Sequence, residues 1–144
     1  MTDSTTIAEA LRRGGVIDIT TTGRRSGQPR RIEIVFFNLD GRLWISGMPG
    51  RRAWLANLAA DPRFTMHLKR GISADVPATA RIVSGEAERR PILERICETW
   101  GRLDRLELFV ARAPLIEVVP DDASLLAASG PRAEARPGQP ERPR

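Results

Sequence analysis

The stretch from Arg31 to Ser46 limits the architecture more than any other part of the chain. In Arg31-Ile32-Glu33-Ile34-Val35-Phe36 the isoleucines and Phe36 recur at every second residue, which puts them on one face of an extended strand. Asn38-Leu39-Asp40-Gly41 has the residues of a tight turn, and Arg42-Leu43-Trp44-Ile45-Ser46 resumes the strand pattern, so a hairpin is predicted. Four more segments carry strand signals. Val16 to Thr22 is rich in β-branched residues, Phe64, Met66 and Leu68 alternate with Thr65, His67 and Lys69, and Ala78 to Gly85 and Leu115 to Val119 complete the set.

Helical spacing appears only between these runs. Thr6-Ile7-Ala8-Glu9 has capping-box spacing at the start of an amino-terminal helix within residues 1–15, which Gly14-Gly15 would end. Between Arg51 and Asp61, Trp54 and Leu58 lie four apart and Leu55 and Leu58 three apart, and Pro62 stops the pattern. Ile92, Leu93, Ile96 and Trp100 mark a helix with Pro91 in its first turn and Gly101 at its end, and Leu103, Leu106 and Phe109 mark another before Pro114. No regular βαβ alternation occurs. The expected fold is therefore mainly β with helices (α+β), an antiparallel barrel of about six strands with short helices in the connections. It would occupy residues 1–129 as a single domain. Residues 130–144 hold four prolines and no apolar residue larger than alanine, and are expected to form a disordered Pro/Arg-rich tail.

Composition removes several mechanisms. One Cys97 cannot make an internal disulfide, and one histidine, His67, with one thiol cannot form a Cys/His zinc site, so no metal is expected. No apolar run reaches membrane-spanning length, and Met1-Thr2-Asp3-Ser4 lacks the basic start of a signal peptide, so a cytoplasmic protein without membrane association is expected. The formal charge is +5 at pH 7 and, of the 23 basic residues, only Lys69 is a lysine. Such a balance suits a nucleic acid or an anionic small ligand. The absence of a recognition-helix motif and of a surface mixing aromatic and basic residues argues against nucleic acid.

The arginines are placed unevenly. Thr20-Thr21-Thr22-Gly23-Arg24-Arg25-Ser26-Gly27-Gln28-Pro29-Arg30-Arg31 joins two predicted strands and carries four arginines with no acid until Glu33. Guanidinium forks match phosphate or carboxylate oxygens, and glycines let backbone amides approach a ligand, so the loop reads as an anion site, with a solvated basic turn as the alternative. It lacks the Gly-Lys-Ser/Thr ending of a Walker loop. Gly50, Arg51 and Arg52 precede the Trp54 helix, where the macrodipole is already positive and like charge costs roughly 0.3–1 kcal/mol, so an anion there would relieve it. Two such segments favour one shared polyanionic ligand. His67 is expected to be structural or exposed, with a general acid as the less favoured alternative, Cys97 an inert thiol beside Glu94 and Glu98, Trp44 and Trp100 core residues, and Arg102 and Arg105 partners of Asp104 and Glu107.

These residues resemble the deazaflavin-dependent nitroreductase and quinone reductase family, split β-barrel proteins that use reduced coenzyme F(420), an 8-hydroxy-5-deazaflavin. The resemblance runs from about Val16 to Pro120. It rests on the Gly23-Arg24-Arg25-Ser26-Gly27 loop with Pro29-Arg30, on Asp40-Gly41, and on Trp54-Leu55-Ala56-Asn57-Leu58 followed by Ala60-Asp61-Pro62. It implies that Arg24, Arg25, Ser26, Gly27 and Arg30 hold the coenzyme's phosphate and acidic tail and that Trp54 and Asn57 lie beside the cofactor. The family's usual Ser-Lys-Gly-Gly is replaced by Met48-Pro49-Gly50-Arg51 and then Arg52, so Arg51 and Arg52 stand where the lysine charge is lost. Backbone around Ser46, Gly47 and Met48 is the candidate contact for the ring's polar edge. A ring-lining proline is replaced near Glu33, and the chain has no tyrosine to sit over the active face.

The resemblance implies an oxidoreductase passing a hydride to an electron-poor small molecule: a quinone, an activated alkene or a nitro compound. No catalytic side chain is singled out. A non-catalytic flavin-, haem- or lipid-binding barrel is the alternative, with FMN or haem as other cofactors. A homodimer is among the states the resemblance allows.

Overall fold

The protein was studied as a computed structural model that describes residues 4–129; the tail expected to be disordered lies outside the described residues. Six strands, β1 Gly15–Thr22, β2 Pro29–Leu39, β3 Arg42–Ser46, β4 Arg63–Leu68, β5 Ala74–Ile82 and β6 Leu115–Pro120, close into a barrel in the order β1-β2-β3-β6-β5-β4. Every pairing is antiparallel, β4 returning to β1. The helices are α1 Ser4–Arg13, α2 Ala53–Ala60, α3 Glu86–Trp100, α4 Leu106–Arg112 and α5 Ser124–Ser129. This is the α+β antiparallel barrel that the period-two runs call for.

The β2–β3 hairpin closes through Asp40 (φ 57°) and Gly41 (φ 89°), both in the left-handed region that a two-residue type I′ turn requires. Asn38 Oδ1 accepts from the Gly41 amide at 2.9 Å. Leu43 and Ile45 then point into the barrel and Trp44 outward, yet all three are buried, because helices cover the outer face of β3.

Two cores result. Inside the barrel, Ile17, Ile19, Phe36, Ile45, Met66, Val76 and Ile116 pack together, with Leu11 of α1, Trp54 and Leu58 of α2 and Leu125 of α5 added at the margins. Outside, Leu93, Ile96 and Cys97 of α3 and Phe109 of α4 pack on Trp44 and Leu115. Trp44 and its cluster-edge neighbour Trp100 are thus core residues, as their type predicts. Within this second core Arg89 is buried and donates to four carbonyls, those of Val83 and of Phe109, Val110 and Ala113 at the end of α4, where helix carbonyls otherwise lack partners.

The structure corrects four sequence expectations. Thr6 lies inside α1, not at its cap. The strand expected from Ala78 runs Ala74–Ile82, because Pro77 sits on the outer face of β5 and Val76, Ala78 and Ala80 keep the inward alternation on both sides of it. Pro91 is inside α3, which starts at Glu86; it is exposed, so its missing amide and ring meet solvent and not the core. Glu107 pairs with Arg90, at 2.7 Å, and not with Arg102 or Arg105. α5 carries no signal that the sequence reading used.

Candidate functional site

The segment between β1 and β2 folds on itself. The Gly23 amide donates to the Gln28 carbonyl and the Gly27 amide to the Gly23 carbonyl, each at 2.8 Å, and Gly27 takes φ 70° to make the turn. Ser26 Oγ accepts from the Gln28 amide at 3.1 Å. A Cβ at position 23 would lie 2.6 Å from Ser26 Oγ and 3.2 Å from the Gln28 carbonyl, so a larger residue there would displace the Ser26 hydroxyl from its place in the loop. Arg24 and Arg25 are left at its tip, both exposed.

One buried side chain ties this loop to α2. Asn57 Oδ1 accepts from the Arg24 backbone amide at 3.0 Å, and its Nδ2 donates to Thr21 Oγ1 at 3.1 Å. Both Asn57 and Thr21 are buried. Between the loop and the helix lies a cavity of about 390 Å3 lined by Thr21, Gly23, Arg24, Arg25, Ser26, Arg30, Ile32, Ala53, Trp54 and Asn57. A second cavity of about 620 Å3 lies on the other side of α2, lined by Arg24, Arg51, Arg52, Ala53, Leu55, Ala56, Ala59 and Ile82. Arg24 and Ala53 belong to both.

Neither lining contains a carboxylate, an imidazole, a phenol or a thiol. Among the described residues, acids pair with Arg31, Arg42, Arg63, Lys69, Arg81, Arg90 and Arg95, but none pairs with Arg24, Arg25, Arg30, Arg51 or Arg52. Arg31, read with the loop, is turned away from it onto Asp18 at 2.9 Å. Five of the arginines without an acid partner thus stand around two apolar-walled cavities, an arrangement that attracts an anion with a large uncharged part.

Of the residues singled out in the sequence, Arg24, Arg25, Ser26, Arg30, Trp54 and Asn57 come together on the first cavity, and Arg51 and Arg52 stand on the second. The others are used elsewhere. Gly27 lines a neighbouring depression with Thr20 and Thr22. Ser46 is buried and its Oγ donates to the Pro114 carbonyl at 2.7 Å, Gly47 packs near Pro114, the Met48 carbonyl accepts from Arg52 Nη2 at 2.9 Å, and the Gly50 amide donates to the Arg112 carbonyl at 3.0 Å. Glu33 is exposed and paired with Lys69, so no carboxylate enters the cavity from β2. His67 sits on another face of the barrel, its Nδ1 hydrogen-bonded to Asp75 at 2.8 Å and its Nε2 to the Thr20 hydroxyl at 2.6 Å. Burial pushes the Cys97 thiol up, with Asp104 adding to it, whereas the sequence pointed to Glu94 and Glu98. Thr21, Ile32 and Ala53 in the first cavity, and Leu55 and Ile82 in the second, were not foreseen; each reads locally as an ordinary strand or helix residue.

Fold and site together define a split-barrel protein with Arg24, Arg25, Arg30, Arg51 and Arg52, none paired with an acid, around two adjoining cavities. Residues 1–107 match the F420H(2)-dependent quinone reductase family, and the chain belongs to that family. It is an oxidoreductase, a deazaflavin-dependent reductase whose cofactor is coenzyme F(420). Among solved structures, a conserved hypothetical protein from Mycobacterium tuberculosis shares the fold with a TM-score of 0.68 at 16% identity, over 84% of this chain and 82% of that one. A structure described as an F(420)-H2 dependent reductase, FDR-A, gives 0.55 at 24% identity over 72% and 93% of the two chains. Another, described as a domain-swapped dimer, gives 0.55 at 23% identity over 72% and 79%. No curated protein is detectably similar in sequence. No helix among the described residues is long and apolar enough to cross a membrane.

Proposed function

We propose that the first cavity is the coenzyme site, with phosphate and acidic tail on Arg24, Arg25 and Arg30 and the ring system against Trp54 and Ile32. The residues fit such a group: guanidinia without acid partners supply charge-assisted donors, and the apolar wall supplies contact for a flat ring. The observation that carries the reading is that Arg24, Arg25 and Arg30, none paired with an acid, share one lining that has no carboxylate. Ser26, Gly23 and Asn57 act as positioning residues, because their polar atoms are already engaged in holding the loop.

When bound, the reduced coenzyme supplies a hydride. The chain's part is to orient the reactants, limit water in the cavity and stabilise negative charge that builds on the acceptor. The acceptor is an electron-poor small molecule, a quinone first, with activated alkenes and nitro compounds as the other candidates. No acid, imidazole or phenol lines either cavity, so the proton that completes the reduction comes from water.

Fluorescence titration with the oxidised coenzyme, run beside FMN and haem, tests this. Binding of the deazaflavin alone is expected. Arg24→Glu with Arg30→Glu should weaken that binding by about a hundredfold or more, since two charge-assisted contacts of about 1.5–3 kcal/mol each are reversed. Wild-type affinity in that variant, with an unchanged circular dichroism spectrum, would make the loop a solvated turn.

A further inference from the structure

On the outer face of the barrel three side chains stand in the hydrogen-bond order of a nucleophile, a base and the group that orients the base. Thr20 of β1, His67 of β4 and Asp75 of β5 all point outward by the alternation of their strands. Thr20 Oγ1 lies 2.6 Å from His67 Nε2, and His67 Nδ1 lies 2.8 Å from Asp75 Oδ1. We propose that these residues form a second active site, which hydrolyses small uncharged esters through an acyl group carried on Thr20 and works without the coenzyme.

The strand register holds the three in place. His67 is paired directly with Asp75 across β4 and β5 and with Asp18 across β4 and β1, while Thr20 is paired with Thr65. Asp18 does not compete for the ring, because its two oxygens accept from Arg31 at 2.9 Å and Lys69 at 2.7 Å. A carboxylate only accepts, so in the neutral imidazole the bond to Asp75 puts the proton on Nδ1 and leaves Nε2 to take the proton of the Thr20 hydroxyl. The His67 side chain is 12% exposed, which limits the competition of water for that bond.

A structural histidine also needs partners for its nitrogens; here the hydroxyl partner opens on a cavity. Thr20 lines a depression of about 390 Å3 with Thr22, Thr65, Pro29 and Pro77. The prolines supply apolar contact. The hydroxyls of Thr22 and Thr65 have no hydrogen-bond partner among the described residues, so they are the donors for the negative oxygen that forms on an attacked carbonyl. At the rim Asp61 is matched by Arg63 at 3.1 Å, whereas Asp121 receives only the Thr79 hydroxyl at 3.3 Å. That excess acid turns anions away, so the ester taken here is uncharged, unlike a ligand of the arginine-lined cavities.

The reaction balances with water as the second reactant. Thr20 Oγ1 bonds to the ester carbonyl carbon while His67 Nε2 takes its proton, and the ester C–O bond then breaks as that proton passes to the leaving alcohol. A water oxygen next bonds to the acyl carbon and gives a proton to His67. The bond to Thr20 breaks, the carboxylic acid leaves, and Thr20 regains its proton. Nothing is oxidised or reduced. Thr20 and His67 are the catalytic residues and Asp75 a positioning residue.

Two probes, used on the full chain with no coenzyme added, test the proposal: p-nitrophenyl acetate for turnover, and diisopropyl fluorophosphate, whose adduct is not hydrolysed, for the position of the nucleophile by peptide mass spectrometry. Release of p-nitrophenolate above the buffer rate is expected, with the phosphoryl adduct on Thr20. Thr20→Val and His67→Gln should each lower turnover at least tenfold and abolish the adduct, with circular dichroism spectra like the wild type. Thr20→Ser, which keeps the hydroxyl, should keep both. Asp75→Asn should lower kcat about tenfold and leave KM for the ester unchanged, a split that general loosening of the strands would not produce. Wild-type turnover in Thr20→Val would make His67 or solvent the only agent and overturn the proposal. So would an adduct confined to other residues such as Lys69, or no turnover above buffer.

Discussion

A buried amide side chain that bonds to two different elements acts as a fastener. Asn57 does so for the arginine loop on the first cavity. Asn57→Ala leaves the Thr21 hydroxyl buried and without its donor and frees the Arg24 backbone, so a stability loss of about 2 kcal/mol is expected. The loop would then have to be ordered by the ligand, and coenzyme Kd should rise about tenfold. Asn57→Asp separates the two effects. It keeps an acceptor for the Arg24 amide and can accept from the Thr21 hydroxyl, so it should unfold at a temperature nearer the wild type. Its carboxylate would also stand among unpaired guanidinia and compete with the coenzyme's own anions, so its Kd should rise further than that of the alanine variant. Thermal unfolding and fluorescence titration of both variants check this; parallel changes in stability and affinity would mean that Asn57 acts by scaffolding alone.

At the scale of elements, Glu117 shows how strands are joined by charge where the barrel meets α3. It lies on the outer face of β6, almost buried, and accepts from Arg42 of β3 at 2.9 and 2.8 Å and from Arg81 of β5 at 2.9 Å, while Arg81 also reaches Glu88 of α3. Burial pushes its carboxyl up, but the hydrogen bonds from Arg42 and Arg81 outweigh that and hold it below the usual carboxylate range. A carboxyl whose folded pKa is depressed contributes stability in full above the unfolded value, about 4.3, and loses it as pH falls through the folded value. Glu117→Gln should therefore cost about 2 kcal/mol at pH 7, discounted for the half-exposed arginines. The gap to wild type should close between about pH 5 and pH 3, read from urea unfolding at each pH. A gap that is constant down to pH 3 would mean the ion pairs contribute nothing and only packing is lost. The elements themselves were mostly legible, because period-two alternation and Asp40-Gly41 fix strand and turn locally. β5 was misplaced because Pro77 reads as a breaker unless one knows that its outer face needs no inward side chain. α5 was invisible because six residues with one anchored leucine, Leu125, carry no period. The arginine loop was legible for a different reason: unpaired charge is a property of a short segment. That Arg51 and Arg52 face another cavity is not, since α2 separates the two only after the barrel closes.

Across the whole molecule, two groups of basic residues stand out from the rest. Arg42, Arg81 and Arg90 work against acids within the fold, while Arg24, Arg25, Arg30, Arg51 and Arg52 leave a concentrated positive field around two adjoining cavities. A field of this kind acts before contact: it raises the encounter rate of a polyanion and is screened over about 8 Å at physiological ionic strength. Stopped-flow binding of the oxidised coenzyme should therefore show an association rate that falls about tenfold between 20 and 500 mM NaCl, with a smaller change in dissociation. Arg51→Ala with Arg52→Ala should flatten that salt slope even though the two side chains stand on the second cavity, because steering depends on the summed charge and not on which guanidinium the coenzyme finally touches. Arg63→Ala with Asp61→Ala, which removes an exposed pair without changing the net charge, should leave the slope as it is. Equal slopes in wild type and in the Arg51/Arg52 variant would mean that only the contacting arginines matter and that the clustering has no long-range effect.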